Sequence, residues 1–494
     1  MSQDAVRYEF PPPEHKRLLG PFTAGQLGIA LAALFVAVFV IARPDPTVPR
    51  LALAAGLVVA VVVPVAVPWH GRVVTEWLPI AVGYGRARRS GQTDYRSPAA
   101  RQGTAAAGRV VLPAEIGAVE FLAHPHNGGL IGVAVDRGSG LYTGVLEVEC
   151  PSFLLEDSAR QQELMARWGG LLARLGHSGT HVHRLQWVVR TVPDDGNGIR
   201  TYLQQARARD LDQASAVVRS YLELVRMSGP ACSEHTALLA VQISSRHVVR
   251  AIRAAGGGDR GACAVLAETM ATIAGGLDGC DIGVRRRLGV REYQGMLRIA
   301  FDSNALADLN VLANLHPERE WGSDAAWPYA TEERWGYYRT ADHAWHRCFD
   351  LVLPAGEVPG DWFVPMILEG DVTRTISMTL KTVPRQEATR GVKRSLTSLQ
   401  AEEERKRKLG QLHTAEDDKR QTAAERRMWE LADGHGETVF AVTVTVTAPD
   451  LVTLERACTS MDHVAGQSLC ELRLIEGQQA AAFTWALPLG RGLE

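Results

Sequence analysis

Chemistry needs particular side chains at particular spacings, and few stretches of this chain offer them. The glycine-rich run AAGGGDRGA, Ala254 to Ala262, has the density of a phosphate-cradling loop but contains no lysine. No Gly-Lys dipeptide occurs in the chain, so the G-x-x-x-x-G-K-[ST] loop is absent. With it goes the ammonium that motors of that class place on the β- and γ-phosphates. The run is read as a turn. Of three histidine pairs, His124/His126, His181/His183 and His343/His346, the first two have the H-x-H spacing that could chelate a metal, but no carboxylate or cysteine completes any of the three at a recognised ligand spacing. The seven cysteines (Cys150, Cys232, Cys263, Cys280, Cys348, Cys458 and Cys470) are scattered and never spaced C-x-x-C, which reads as buried reduced thiols. The G-x-S-x-G and H-E-x-x-H patterns are missing. No catalytic, cofactor-binding or metal-binding residue is assigned, and the chain is expected not to be an enzyme.

A length of 494 residues suggests about two to four units. The composition is globular, 46% hydrophobic and 22% charged, and a net charge of −2 gives no general attraction to nucleic acid. The apolar residues are unevenly spread. Phe22 to Ala42 and Leu51 to Trp69 are uncharged and aliphatic, each long enough for about 30 Å of hydrocarbon. Between them lies the short, proline-rich turn Arg43 to Arg50. This pattern predicts a transmembrane hairpin. Arg7, Lys16 and Arg17 before it, and Arg72, Arg86, Arg88 and Arg89 after it, outnumber Arg43 and Arg50 in the turn. That asymmetry predicts a multi-pass cell-membrane protein with both termini cytoplasmic.

The expected divisions are an N-terminal segment 1–21, the hairpin 22–69 (22–42 and 51–69) and a basic juxtamembrane connector 70–108. A cytoplasmic domain 109–385, a charged helical segment 386–435 and a C-terminal β-α-β unit 436–494 follow. The fold class is α+β (mixed α/β), because hydrophobic periodicity switches repeatedly between 2 and 3.6. Leu141 to Glu149, His181 to Val192 and Thr236 to Ser244 read as strands, and Glu156 to Leu175 and Arg200 to Met227 as helices. The aromatic stretch Trp321 to Trp345 sits among acids that would repel phosphate, so it is assigned to packing before a partner surface. Leu399 to Ala432 reads as a solvated helix or helical hairpin interrupted at Gly410. In the last unit, Val442, Val444 and Val446 alternate with Thr443, Thr445 and Thr447, a half-buried strand pattern. Asp450 is the candidate N-cap of a helix whose inner face is Leu451, Leu454, Cys458, Met461 and Val464 or Ala465, and Cys470 to Ile475 returns as a strand.

Short phrases carry a resemblance. FTAGQL, Phe22 to Leu27, leading into a tight hairpin, is similar to the PrgI-like membrane subunits of conjugative type IV secretion systems. From about Thr375 to Gly490 the chain resembles the N-terminal, non-motor domain of TraC-type transfer ATPases. The phrases TISMTLKTVP, VFAVTVTVTAPDLVTLERA and FTWALPLG carry that match. In those ATPases the last phrase precedes the motor, which has no counterpart in this sequence. A group of actinobacterial integral membrane proteins has this arrangement, including an aromatic segment like Trp321 to Tyr338. The resemblance implies a non-enzymatic, membrane-anchored subunit of a conjugation-like secretion or DNA-transfer apparatus. Its implied partners are the lipid bilayer, other secretion-complex subunits, a motor ATPase in trans, and further copies of itself as a homo-oligomer; direct nucleic-acid binding is not implied. The alternatives are a membrane core subunit of a type VII secretion system, or a membrane-bound enzyme with an unfamiliar site.

Overall fold

The computed structural model describes residues 7–10, 74–97, 112–150, 153–176, 180–193, 215–228, 233–302, 325–340, 344–354, 356–369, 371–408 and 412–493, and Phe35, Val38, Gly56, Ala305 and Gly410 singly. The chain divides into two compact units, one of residues Pro12–Thr93 and one joining Met1–Pro11 to Asp94–Glu494.

In the smaller unit the principal described element is helix α1, Val74–Arg89. It begins with Glu76 in its first turn and ends with Arg86, Arg88 and Arg89 in its last, charges that complement the helix dipole. The sequence reads this stretch as part of a basic juxtamembrane connector. Its 16 residues span about 24 Å, short of the ~30 Å hydrocarbon layer, and it carries four charges in the turns named. Among the described residues no helix is long and apolar enough to cross a membrane. The transmembrane hairpin in the expected fold class, and the multi-pass membrane placement built on it, therefore do not stand. The stretches 22–42 and 51–69 lie outside the described residues, apart from Phe35, Val38 and Gly56, which are helical and exposed.

The larger unit is built on one antiparallel sheet. In chain order its first half contains β1 (Arg7–Phe10), β2 (Asp94–Arg96), β3 (Val119–His126), β4 (Gly129–Asp136), β5 (Leu141–Glu149), α2 (Ser158–Leu175), β6 (Val182–Pro193), α3 (Ala216–Ser228) and β7 (Ser233–Ser244). Then come α4 (Val249–Ala254), α5 (Gly258–Asp278), β8 (Gly283–Arg287) and α6 (Val290–Phe301). The second half contains β9 (Ala330–Arg334), β10 (Tyr337–Thr340), β11 (Ala344–Val352), β12 (Gly356–Pro359), α7 (Val364–Leu368) and β13 (Thr373–Val383). It ends with α8 (Arg385–Lys408), α9 (Ala415–Ala432), β14 (Glu437–Ala448), α10 (Leu451–Gln467), β15 (Glu471–Leu474) and α11 (Gln479–Trp485). The stretches expected at 109–385, 386–435 and 436–494 all fall in this unit.

Thirteen strands among the described residues form the sheet, in the order β2-β9-β10-β11-β14-β13-β6-β7-β5-β4-β3, with β15 beside β11 and β8 beside β5. This order contains an internal repeat. Each half is a three-stranded meander (β3–β4–β5, then β9–β10–β11) followed by three more strands (β6, β7, β8, then β13, β14, β15). In each, the third strand pairs with the second over its first residues and with the sixth over its last: Leu141–Gly144 on β4 and Leu146–Glu149 on β8, then Ala344–His346 on β10 and Phe349–Val352 on β15. The fifth strand lies beside the third, and the fourth beside the fifth. The two fourth strands then join antiparallel, Leu185 opposite Leu380 through Thr191 opposite Arg374. The sheet is thus two copies of one topology, related by a pseudo-twofold axis at the β6–β13 seam.

Both faces of the sheet are covered. On one face, α2, α4 and α5 pack on the first half (Leu171, Leu175, Leu185, Leu239, Leu266, Met270), while α7 and α10 pack on the second (Met366, Ile376, Val444, Leu454, Met461). The opposite face carries α6, α11 and the C-terminal segment around Val188, Leu297, Phe301, Tyr338 and Phe483. This is why Val442 to Thr447 departs from a half-buried strand. Thr443 and Thr445 are buried at 4% and 1% exposure because α11 and the C-terminus lie over them. The N-cap at Asp450 is formed, its carboxylate accepting from the Thr453 amide at 2.9 Å. Of the described aromatics in that stretch, Trp327 and Tyr338 are buried against Phe121, Phe301 and Phe483, Tyr337 and Trp345 pack half-buried on the core of the second half, and Tyr329 is exposed.

Candidate functional site

The two helical layers on the first face belong to different halves and leave a gap over the seam. There the sheet shows Trp187 and Val189 of β6 beside Met378 and Ile376 of β13. Strand alternation sends their neighbours Val188 and Ser377 to the other face. The gap is an apolar cleft of about 570 Å³, the size of an ordinary ligand or side-chain pocket. Met165 and Trp168 of α2 form one wall, with Trp168 edge-on to Trp187 at 5.8 Å. Trp362 and Phe363, before α7, form the other. Phe10 of β1 closes a corner, because β1 pairs with β12 and sets the Phe10 ring edge-on to Trp362 at 5.3 Å. The ionisable lining groups are Glu156, Asp281, Cys150 and Cys280. Asp281 is bridged to Arg160. Burial pushes the Cys280 thiol above its ordinary range, which keeps it protonated and weakens it as a nucleophile. Chemically, the cleft can accept an apolar group.

On the opposite face the C-terminal segment straps the two halves together. Buried Gln186 donates to Ser377 Oγ at 2.8 Å and to the Trp485 carbonyl at 2.6 Å, and its oxygen accepts the Gly490 amide at 2.6 Å. Gln242 donates to the Leu489 carbonyl at 2.8 Å and Tyr293 to that of Pro488 at 2.5 Å. Arg491 donates to the carbonyls of Glu115 and Ile116 at 2.6 and 2.7 Å. Gly490 is essential to the strap: it sits at φ +68, and a Cβ there would lie 2.5 Å from the Gln242 amide nitrogen. Gln186→Leu, which orphans three buried polar groups, is expected to destabilise the unit by about 2–3 kcal/mol in urea titration and to speed proteolysis of the C-terminus.

The residues singled out in the sequence are dispersed. The glycine run forms the turn between α4 and α5, with Gly256, Gly257 and Gly258 at φ +104, +71 and +56. Asp259 then accepts from both Arg137 guanidinium nitrogens at 2.8 and 2.9 Å and from the Tyr142 hydroxyl at 2.7 Å. A carboxylate held by Arg137 thus occupies the helix start that a phosphate loop would leave open. His183 stacks on His247 with ring centres 5.4 Å apart, and burial first, then the charge of Arg184, pulls it down to about 4. His124 is lowered by burial and by His126. His346 is fully buried between Thr340 and Thr447 hydroxyls at 2.8 and 2.9 Å and is neutral, pulled to about 3. His343 and Cys232 lie outside the described residues; the six described cysteines are free. Among the described residues no group of three His, Cys, Asp or Glu side chains is placed to hold a metal ion.

The charged segment forms an antiparallel pair, α8 and α9, turning at Gly410 with φ +62. A small cluster of Ala388, Val392 and Leu431 holds its base. Farther out, Lys406 contacts both Asp417 oxygens at 2.8 Å, and that contact, with the Thr414 amide, pulls Asp417 down to about 2. On α9, Met428 and Trp429 face solvent at 39% and 72% exposure. Tryptophan exposed on a charged helix is the residue type that most often anchors a protein partner.

Sequence reading gave no hint of the cleft. Its lining residues come from both halves, and each is an ordinary core type within its own element. No protein-family model matches the chain, and no curated protein sequence matches it.

Proposed function

We propose that the chain is a non-enzymatic docking subunit of a conjugation-like, type IV-related secretion or DNA-transfer apparatus, and that it holds a separately encoded motor ATPase. The reading is supported by the resemblance of Thr375 to Gly490 to the non-motor domain of transfer ATPases and by the missing phosphate loop. The observation that carries it is the α8–α9 arm with Trp429 turned outward. The arm leaves the sheet between β13 and β14, inside the region of resemblance. Salt bridges within it, Lys406–Asp417 and Arg426–Glu430, brace it.

The test is affinity purification of the full chain from its own cells, with partners identified by mass spectrometry. A nucleotide-loop ATPase should co-purify with the wild type. Trp429→Asp should reduce its recovery about tenfold or more, as expected for loss of an interface anchor, with unchanged circular dichroism. Recovery of the chain without any such ATPase, or equal recovery with the variant, would refute the assignment.

A further inference from the structure

The seam has a charged end as well as an apolar middle. Its last paired residues there are Leu185 of β6 and Leu380 of β13, and the next position in register sets Arg184 across from Lys381. Like charges facing each other across two strands destabilise a sheet unless something neutralises them. The β6–β7 register shifts between Val182 and Arg184, so His183 is the extra residue of a bulge. Its ring stacks on that of His247, an exposed residue in the turn after β7. The charges of Arg184, His247 and Lys381 all lower the His183 pKa, and no carboxylate raises it.

No acid answers this charge among the described residues. Arg184 is half-buried, and burial lowers its pKa with no carboxylate opposing it. One terminal guanidinium nitrogen donates to the Gly490 carbonyl at 3.2 Å, while Nε is sealed from water without an acceptor. Lys381 is exposed. Glu437 stands opposite Val383, on the Lys381 side of the sheet, but is bridged to Arg427. Asp136, near the strap, is bridged to Arg491 at 3.5 Å.

We propose that Arg184 and Lys381 form an oxyanion site for a phosphate group, with the His183–His247 stack at its edge. A dianion between guanidinium and ammonium turns a repelling cross-strand pair into charge-assisted hydrogen bonds. Phosphate fits better than a carboxylate: its double charge matches two fixed cations, and its tetrahedral oxygens meet donors on separate strands, whereas a planar carboxylate presents both oxygens in one direction. The ligand is then a phosphate ester, either soluble or a lipid headgroup.

The test is calorimetric titration of the full chain with inorganic phosphate in low-chloride buffer, where a Kd below about 1 mM is expected. Lys381→Glu, at an exposed position, should weaken binding about tenfold or more with unchanged circular dichroism. Arg184→Gln, which keeps a donor for the Gly490 carbonyl, should do the same. Lys393→Glu, on an exposed face of α8, should leave binding as it is. Sedimentation with vesicles containing about 20% phosphatidic acid separates the sources. Vesicles that pellet the wild type and not Lys381→Glu assign the group to a lipid headgroup; any other vesicle result, with phosphate bound, assigns it to a soluble ester. Failure of inorganic phosphate to bind, or binding that Lys381→Glu weakens no more than Lys393→Glu does, would overturn the proposal.

Discussion

Arg374→Met is expected to destabilise the larger unit by about 4 kcal/mol or more. Arg374 is fully buried, at 0% exposure, and stands on β13 at the seam opposite Thr191. Its guanidinium donates to the carbonyls of Met366 at 3.0 Å, Ile367 at 2.5 Å and Val372 at 3.3 Å, and to that of Glu369. These carbonyls belong to the end of α7 and the turn after it, which a five-residue helix cannot satisfy internally. Burial lowers the guanidinium to about 10, so it still carries its charge at neutral pH. Methionine fills most of the space but leaves the carbonyls without donors, at about 1–3 kcal/mol for each buried group stranded. Arg374→Lys keeps the charge and loses the fork, and should recover only part of the stability. Urea titration of both variants measures this, and a loss under about 1 kcal/mol for Arg374→Met would show that water replaces the guanidinium.

The second large effect depends on pH. Glu333 is buried, at 8% exposure, and its carboxylate accepts the Ala480 amide at 3.0 Å at the start of α11. Burial, opposed by that hydrogen bond and aided by the charge of Glu115, pushes it up to about 7. A carboxyl raised in the folded state favours folding while it is protonated in both states. Its contribution is therefore complete below the unfolded value near 4.5 and is lost as pH rises through about 7. The shift corresponds to roughly 3 kcal/mol. Glu333→Gln keeps an oxygen for the Ala480 amide and cannot ionise. The variant should gain about 2–3 kcal/mol relative to wild type between pH 5 and pH 8, read from urea midpoints at each pH. A difference that stays flat across that interval would contradict the assignment.

Much of the local structure was legible because it depends on neighbours in sequence. Helix α10 shows this: Asp450 caps it, and Leu454, Cys458, Met461, Val464 and Ala465 share its buried face. The interruption of the charged segment at Gly410 is equally local, since a positive φ there needs glycine. Legibility failed where burial on a second face was involved. Thr443 and Thr445 alternate with valines in a pattern that normally means solvent, and only the passage of α11 and the C-terminal strap over β14 buries them. Arg374 and Gln186 likewise look like surface residues in sequence, because nothing nearby in the chain tells which carbonyls and amides they will meet. The uncharged stretches near the N-terminus had the opposite fault. Their composition suggested membrane helices, and no described helix has the length and apolar character to cross a bilayer.

The sequence by itself determined the caps, the helix faces, the turn glycines and the absence of a phosphate loop. These follow from periodicity and from backbone preferences that act within a few residues. Tertiary structure alone decided that β6 and β13, almost two hundred positions apart, pair at a pseudo-twofold seam and so create the apolar cleft. The physical reason is that strand order is selected by the burial of two whole layers at once, a quantity to which each residue contributes only after the chain has closed on itself.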